Sequence, residues 1–94
     1  MITINGRENP QKLAREDIMA MVADDAFQIE PLPIMQFEAE FELELIEAKP
    51  GRLAYEGEVE EWQVKVEVVR IPDDRFAVHI DVTSPDGGCG FGSF

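Results

Sequence analysis

One cysteine, one histidine and a run of glutamates are the side chains of this 94-residue sequence that have distinctive chemistry to offer. Cys89 lies in the stretch Gly87-Gly88-Cys89-Gly90-Phe91-Gly92-Ser93-Phe94. Cys89 and Ser93 are nucleophilic groups, and each follows a glycine that leaves the preceding carbonyl open to attack. Gly87 and Gly88 form an unbranched pair able to thread a narrow enzyme channel or to be cut. Phe91 and Phe94, spaced three apart, suit the anchors of a docking peptide. His79 alternates with Val78 and Ile80, which places it on an outer sheet face beside Ala77 and Asp81. No Ser, Cys or second His stands near it at a spacing that suggests a triad, so no catalytic residue is assigned and the chain reads as non-enzymatic. No pair of His or Cys has ligand spacing, and no acidic loop follows the calcium pattern, so neither a metal site nor a cofactor is expected.

The glutamates are the stronger pattern. In MQFEAEFELELIEA, Glu38, Glu40, Glu42 and Glu44 point to one side of a strand while Phe37, Ala39, Phe41, Leu43 and Leu45 point to the other. Successive carboxylates on one strand face stand about 7 Å apart, too far to chelate one ion together. Their use is either a solvated face that discourages sheet aggregation or an acidic surface for a basic partner. The whole chain carries 20 acids against 8 Lys and Arg, a formal net charge of −12. Residues 16–64 hold fourteen of those acids and only Lys49 and Arg52 against them. Such a charge repels nucleic acid and anionic membrane and speeds encounter with basic proteins.

The tail carries two resemblances, each on a short motif. Gly87-Gly88 before a short extension is similar to the precursor end of ubiquitin-like modifiers, which implies cleavage and adenylation of the freed carboxylate. The same pair before CGFGSF is similar to the leader and core boundary of ribosomally made, modified peptides. That resemblance implies cyclisation at Gly88-Cys89 and Gly92-Ser93, with the acidic domain serving as the recognised leader. Either way, the expected partner is a processing or modifying enzyme. The competing expectation is an acidic inhibitor or nucleic-acid mimic that works through the glutamate face on a basic-surfaced protein. Oligomeric state is left open.

These groups need a scaffold to position them. Ninety-four residues make one domain, expected to bury about 60–65% of its unfolded surface. The expected division is a folded unit over 1–83 and a glycine-rich tail over 84–94. No stretch has the length of a membrane span, the start lacks the layout of a signal peptide, and one cysteine makes no internal disulfide, so the expected address is the cytoplasm. Ile2-Thr3-Ile4 reads as a short strand that runs into an Asn5-Gly6 turn. Asn9 ahead of Pro10 reads as an N-cap, and Leu13, Ala14, Ile18, Met21 and Val22 predict an amphipathic helix over Pro10 to about Asp24. Phe27 to Ile34 reads as an extended connector because of Pro31 and Pro33.

Four antiparallel strands should follow. Pro50-Gly51 suits a type II turn, and Pro72-Asp73-Asp74 makes another. Leu53, Tyr55, Gly57 and Val59 share one parity and Trp62, Val64, Val66 and Val68 the other, so the chain must reverse at Glu60-Glu61 or at Glu56-Gly57. Phe76, Val78, Ile80 and Val82 form the last strand. The expected fold is α+β: a short strand, one amphipathic helix and a four-stranded meander with the helix on one face. Its element order resembles the cystatin and monellin arrangement, with a β-grasp as the alternative. The cystatin family's QxVxG loop is absent, so protease inhibition does not follow from the resemblance.

Overall fold

A computed structural model describes residues 2–24, 40–72 and 75–93, with 22–24, 75 and 89–93 described by backbone alone. It is mostly antiparallel sheet with one short helix. Strands β1 (Thr3–Ile4) and β2 (Arg7–Glu8) form a small hairpin. Strands β3 (Lys12–Ala14), β4 (Glu42–Lys49), β5 (Arg52–Val59), β6 (Trp62–Ile71), β7 (Arg75–Thr83) and β8 (Cys89–Ser93) make a six-stranded sheet in sequence order. Helix α1 (Arg15–Asp24) lies between β3 and β4 in the chain.

The meander expected from the sequence is present as β4 to β7, and one further strand joins at each side. The helix is shorter than its periodicity predicts, because Lys12–Ala14 pairs with β4, setting Leu13 opposite Leu43. Asn9 does not cap a helix. It has left-handed backbone (φ 40°), its N–H donates to the Ile2 carbonyl, and its side-chain oxygen accepts from the Ile2 N–H. The cap falls later. Asp17, in the first turn of α1, accepts a 2.9 Å hydrogen bond from the N–H of Ala14, the reciprocal half of a capping box.

The turns follow their residues. Asn5 and Gly6 both take positive φ, as the two central positions of a type I′ hairpin turn require. The parity change along β5 and β6 resolves at Glu60-Glu61, where Val59 pairs with Trp62 and both glutamates are left-handed (φ 49° and 72°). That turn geometry matches the strand twist but is costly for residues with a Cβ. Of the next turn only Pro72 is described; Asp73 and Asp74 lie outside the described residues.

The core sits on one face of the sheet. Leu43, Leu53, Tyr55, Val64, Val66, Val68 and Ile80 are almost wholly buried, with Ile18 and Met21 of α1 and Ile2 and Ile4 of the first hairpin in the same cluster. Phe41 and Leu43 are buried and Glu40, Glu42 and Glu44 exposed, as their alternation predicts. Phe37, Glu38, Ala39 and the connector Phe27 to Ile34 lie outside the described residues. A bulge at Ile46 interrupts that alternation, so Leu45 pairs with Tyr55 but Glu47 with Ala54. The extra residue keeps Glu47 off the core face and leaves Ile46 exposed. Gly57 permits β4 and β5 to approach closely: a Cβ there would lie 2.7 Å from Leu43 Cδ2 and 3.1 Å from the Glu42 carbonyl oxygen.

Candidate functional site

The outer face of the sheet gathers charge from five strands. Cross-strand partners in an antiparallel sheet share a face, so Lys12, Glu44, Glu56, Lys65 and Asp81 form one row across β3 to β7. Glu44 and Glu56 are exposed and stand directly opposite each other. Lys12 and Lys65 bracket them, and Lys12 Nζ also lies 3.5 Å from Glu42. The sequence count over 16–64 could not see these two lysines, because both lie outside that segment and only the register brings them alongside.

Beside this row is an open cleft of about 430 Å³ between the start of α1 and the approach to β4. Ala14, Arg15, Glu16, Glu40, Phe41 and Glu42 line it. Three carboxylates against the one cation Arg15 give the lining a net negative charge, and with the Phe41 side chain it has the chemistry to take a basic side chain with an aliphatic stem. Glu40, Glu42 and Glu44 of the predicted acidic face thus all stand at the cleft or in the row; Glu38 lies outside the described residues. No group of His, Cys, Asp and Glu that could hold a metal ion occurs among the described residues.

The corner beneath the cleft is built by polar side chains. Asp17, 5% exposed, accepts from Asn5 Nδ2 at 2.6 Å, from the Arg7 guanidinium and from the Ala14 N–H. Burial raises the pKa of its carboxyl, but the bonds from Arg7, Ala14 and Asn5 and the charge of Arg7 outweigh burial and hold it below the ordinary 3.8. Tyr55, fully buried on β5, donates to the Pro10 carbonyl at 2.6 Å. Burial, with a smaller contribution from the Asp17 charge, pushes its hydroxyl up to about 12 against the opposing effect of Arg7. These two groups lock the first hairpin and β3 onto the sheet, and so fix Lys12 beside Glu42.

The tail residues are placed by a hairpin. Gly87 donates to the Ser84 carbonyl at 3.0 Å, closing a turn over Pro85 and Asp86, and Ser84 N–H donates to the Gly88 carbonyl at 2.7 Å. Gly87 takes φ 89°, the left-handed position that follows a type I turn in a three-residue hairpin loop. The Gly88 N–H is held by Ser84 Oγ at 2.8 Å. Gly87 and Gly88 are exposed within this loop, and Cys89 to Ser93 run on as β8 against β7. Phe94 lies outside the described residues. The signal that finds this hairpin in the sequence is Ser-Pro-Asp-Gly-Gly, with Pro at the second turn position and Gly after it.

His79 lies on the outer face, with Nε2 3.2 Å from Asp81 Oδ1. β8 sets the backbone of Ser93 opposite His79 and that of Phe91 opposite Asp81. Sequence spacing had separated Ser93 from His79, and the hairpin brings their backbones into register. No helix among the described residues is long and apolar enough to cross a membrane. Comparison of the chain with protein-family models, with curated proteins and with solved structures finds no match.

Proposed function

We propose that this chain is a non-enzymatic protein-binding domain that uses the acidic outer face around Glu44 and Glu56, with the adjoining cleft, to engage a basic surface of another protein. The observation that carries the reading is the directly opposed, exposed pair Glu44 and Glu56. Like charges facing each other across strands destabilise a sheet; Lys12 and Lys65 on the flanking strands offset part of that repulsion, and a cationic partner group would relieve the rest on binding. The cleft lined by Glu16, Glu40 and Glu42 supports the same reading. An inhibitor or nucleic-acid mimic would work through this face. The cystatin-like order of helix and long strands belongs to the proposal as its architecture, without that family's inhibitory loop.

A lysine-rich peptide tests it by fluorescence anisotropy at two ionic strengths. Replacing Glu40, Glu42 and Glu44 by Gln should weaken binding and flatten its salt dependence. Replacing Glu8, Glu61 and Asp86 by their amides removes equal charge away from the cleft and should do neither. Equal losses in both variants would reduce the reading to net charge alone.

A second reading is favoured by the exposure of Gly87 and Gly88. In it the chain is a substrate whose tail is processed or modified: Gly87-Gly88 is cut, or Cys89 and Ser93 are cyclised, with Phe91 and Phe94 as anchors for the processing or modifying enzyme. Cutting at this loop would release β8 from the sheet, so the processed domain would have β7 as its new edge. Intact-mass spectrometry of the protein from its native host separates the readings. Loss of the residues beyond Gly88, or of one water at Cys89 or Ser93, supports processing, and an unmodified full-length mass removes it.

A further inference from the structure

The two edges of the main sheet are guarded differently. At one, β3 is three residues long, carries Lys12 and runs straight into α1. Shortness and a charged side chain both keep an edge from recruiting another strand. At the other edge, β8 runs for five residues, Cys89–Ser93, with no charge and no proline. Among the described residues no strand lies on its far side.

The hairpin loop reveals which backbone groups of β8 face that far side. Ser84 and Gly88 are a hydrogen-bonded pair, and bonded and non-bonded pairs alternate along an antiparallel ladder. Gly90, opposite Val82, and Gly92, opposite Ile80, therefore turn their N–H and C=O groups toward β7. Cys89, Phe91 and Ser93 turn theirs outward.

We propose that β8 pairs with β8 of a second copy of this chain, antiparallel and about a two-fold axis at Phe91. Phe91 then stands opposite Phe91 of the second copy, and Cys89 opposite Ser93 of the second copy. In that register the outward residues of each strand meet the outward residues of the other, and each of the three pairs exchanges both backbone bonds. A register centred on Gly90 or Gly92 leaves only two such pairs within Cys89–Ser93, one centred on Cys89 or Ser93 shortens the overlap further, and one centred between two residues sets outward groups against inward ones. The arrangement is isologous, as closed dimers require.

Charge favours this occupant and this edge. A chain of net charge −12 repels its own copy, so a self-interface is favoured where acids are fewest; β7 and its loop to β8 carry only the acids Asp81, which has His79 and Lys65 beside it, and Asp86. β5 and β4 are the third and fourth strands in from β8, about 14–19 Å at the usual strand spacing. Joining two copies through β8 leaves their glutamate rows about 30 Å apart or more, several times the screening length of about 8 Å at physiological salt. An uncharged strand also gives a charged peptide no electrostatic reason to prefer it.

Sedimentation equilibrium of the full chain should return twice the 10.6 kDa chain mass, and a monomer throughout the accessible concentration range would overturn the proposal. Ser93→Pro and Phe91→Pro each remove an outward N–H and leave the bonds from Gly90 and Gly92 to β7 in place. Both variants should sediment as monomers with an unchanged circular dichroism spectrum. A dimer that survives both substitutions would place the interface elsewhere and overturn the proposal. Ser93→Cys keeps the question open to measurement if the proline variants fail to fold. Mild oxidation should then link Cys89 of one copy to the thiol introduced at position 93 of the other, since paired Cα atoms about 5.5 Å apart suit a disulfide. A peptide map without that crosslink would equally overturn the register.

Discussion

At the N-terminal corner a buried carboxylate gathers Asn5, Arg7 and the Ala14 N–H, and a buried tyrosine reaches across to Pro10. At the C-terminal edge β8 is held by its backbone ladder to β7 and by a loop in which Ser84 bonds both glycines. The two regions are short segments docked on the same meander, yet one depends on specific side chains and the other on turn geometry. The first is therefore sensitive to single polar substitutions and to pH. The second is sensitive to backbone conformation. A surface meant to hold charge in a fixed place, such as Lys12 beside Glu42, gains from the first kind of anchoring, and an edge able to exchange partners gains from the second.

The largest expected effect lies in the first region. Asp17→Ala removes the acceptor for Asn5, Arg7 and Ala14 together and should cost about 2–4 kcal/mol, read as a lower midpoint in urea unfolding. Arg7 is half exposed and can return to water, which keeps the cost at the lower end for a buried pair. If Asp17→Ala costs no more than a surface substitution, the N-terminal corner is not held as described and the contrast between the two regions fails.

The pH profile sharpens the same point. The Asp17 carboxyl is held below 3.8 in the folded chain, so its contribution is present above that value and is lost as the pH falls further, through its folded-state pKa. Tyr55 is displaced the other way, from 10.0 to about 12. Its contribution is complete below pH 10 and is lost as the pH rises from 10 toward 12. Stability measured against pH should fall at both limits. Asp17→Asn should flatten the acid limb and Tyr55→Phe the alkaline one, each independently of any change at Ser84 or Gly87.

Much of the sheet could be read from alternation and turn residues. Asn5-Gly6 and Pro50-Gly51 announce their turns, and the parity of Leu53 to Val68 requires a reversal that the structure places at Glu60-Glu61. The helix start was not legible, because Lys12-Leu13-Ala14 has good local helix propensity. Its strand conformation is fixed by pairing with β4 and by the Tyr55 bond to Pro10, both long-range. β8 was obscured for the opposite reason. Its glycines suggest a loose tail, whereas the five residues before it spell out a hairpin loop. For the candidate site, exposure of Glu40, Glu42 and Glu44 follows from period two. Their bracketing by Lys12 and Lys65 needs the register, which the sequence does not encode locally.

The turn at Glu60-Glu61 offers a test outside both regions. Two left-handed glutamates cost about 1–2 kcal/mol each relative to residues suited to that geometry. Replacing the pair by Asn-Gly should raise stability by about 1–2 kcal/mol in all, after allowance for glycine's entropy in the unfolded chain. The increment should be the same in wild type and in Asp17→Ala, since independent sites add. A smaller gain in the Asp17→Ala background would mean that the meander and the N-terminal corner do not behave as separate units.

The smallest effect is expected at Ser84. Ser84→Ala removes the 2.8 Å bond to the exposed Gly88 N–H and leaves the two backbone bonds of the loop intact. Because water replaces the lost partner, the global cost should be no more than about 0.5 kcal/mol, near the low end for a hydrogen bond. Locally the loss should still be visible: amide exchange at Gly90 and Gly92 should quicken while Val64, Val66 and Val68 keep their protection. Exchange that quickens along the whole of β6 as well would show that β8 is cooperative with the core, and the contrast between a side-chain anchor and a backbone anchor would lose its energetic meaning.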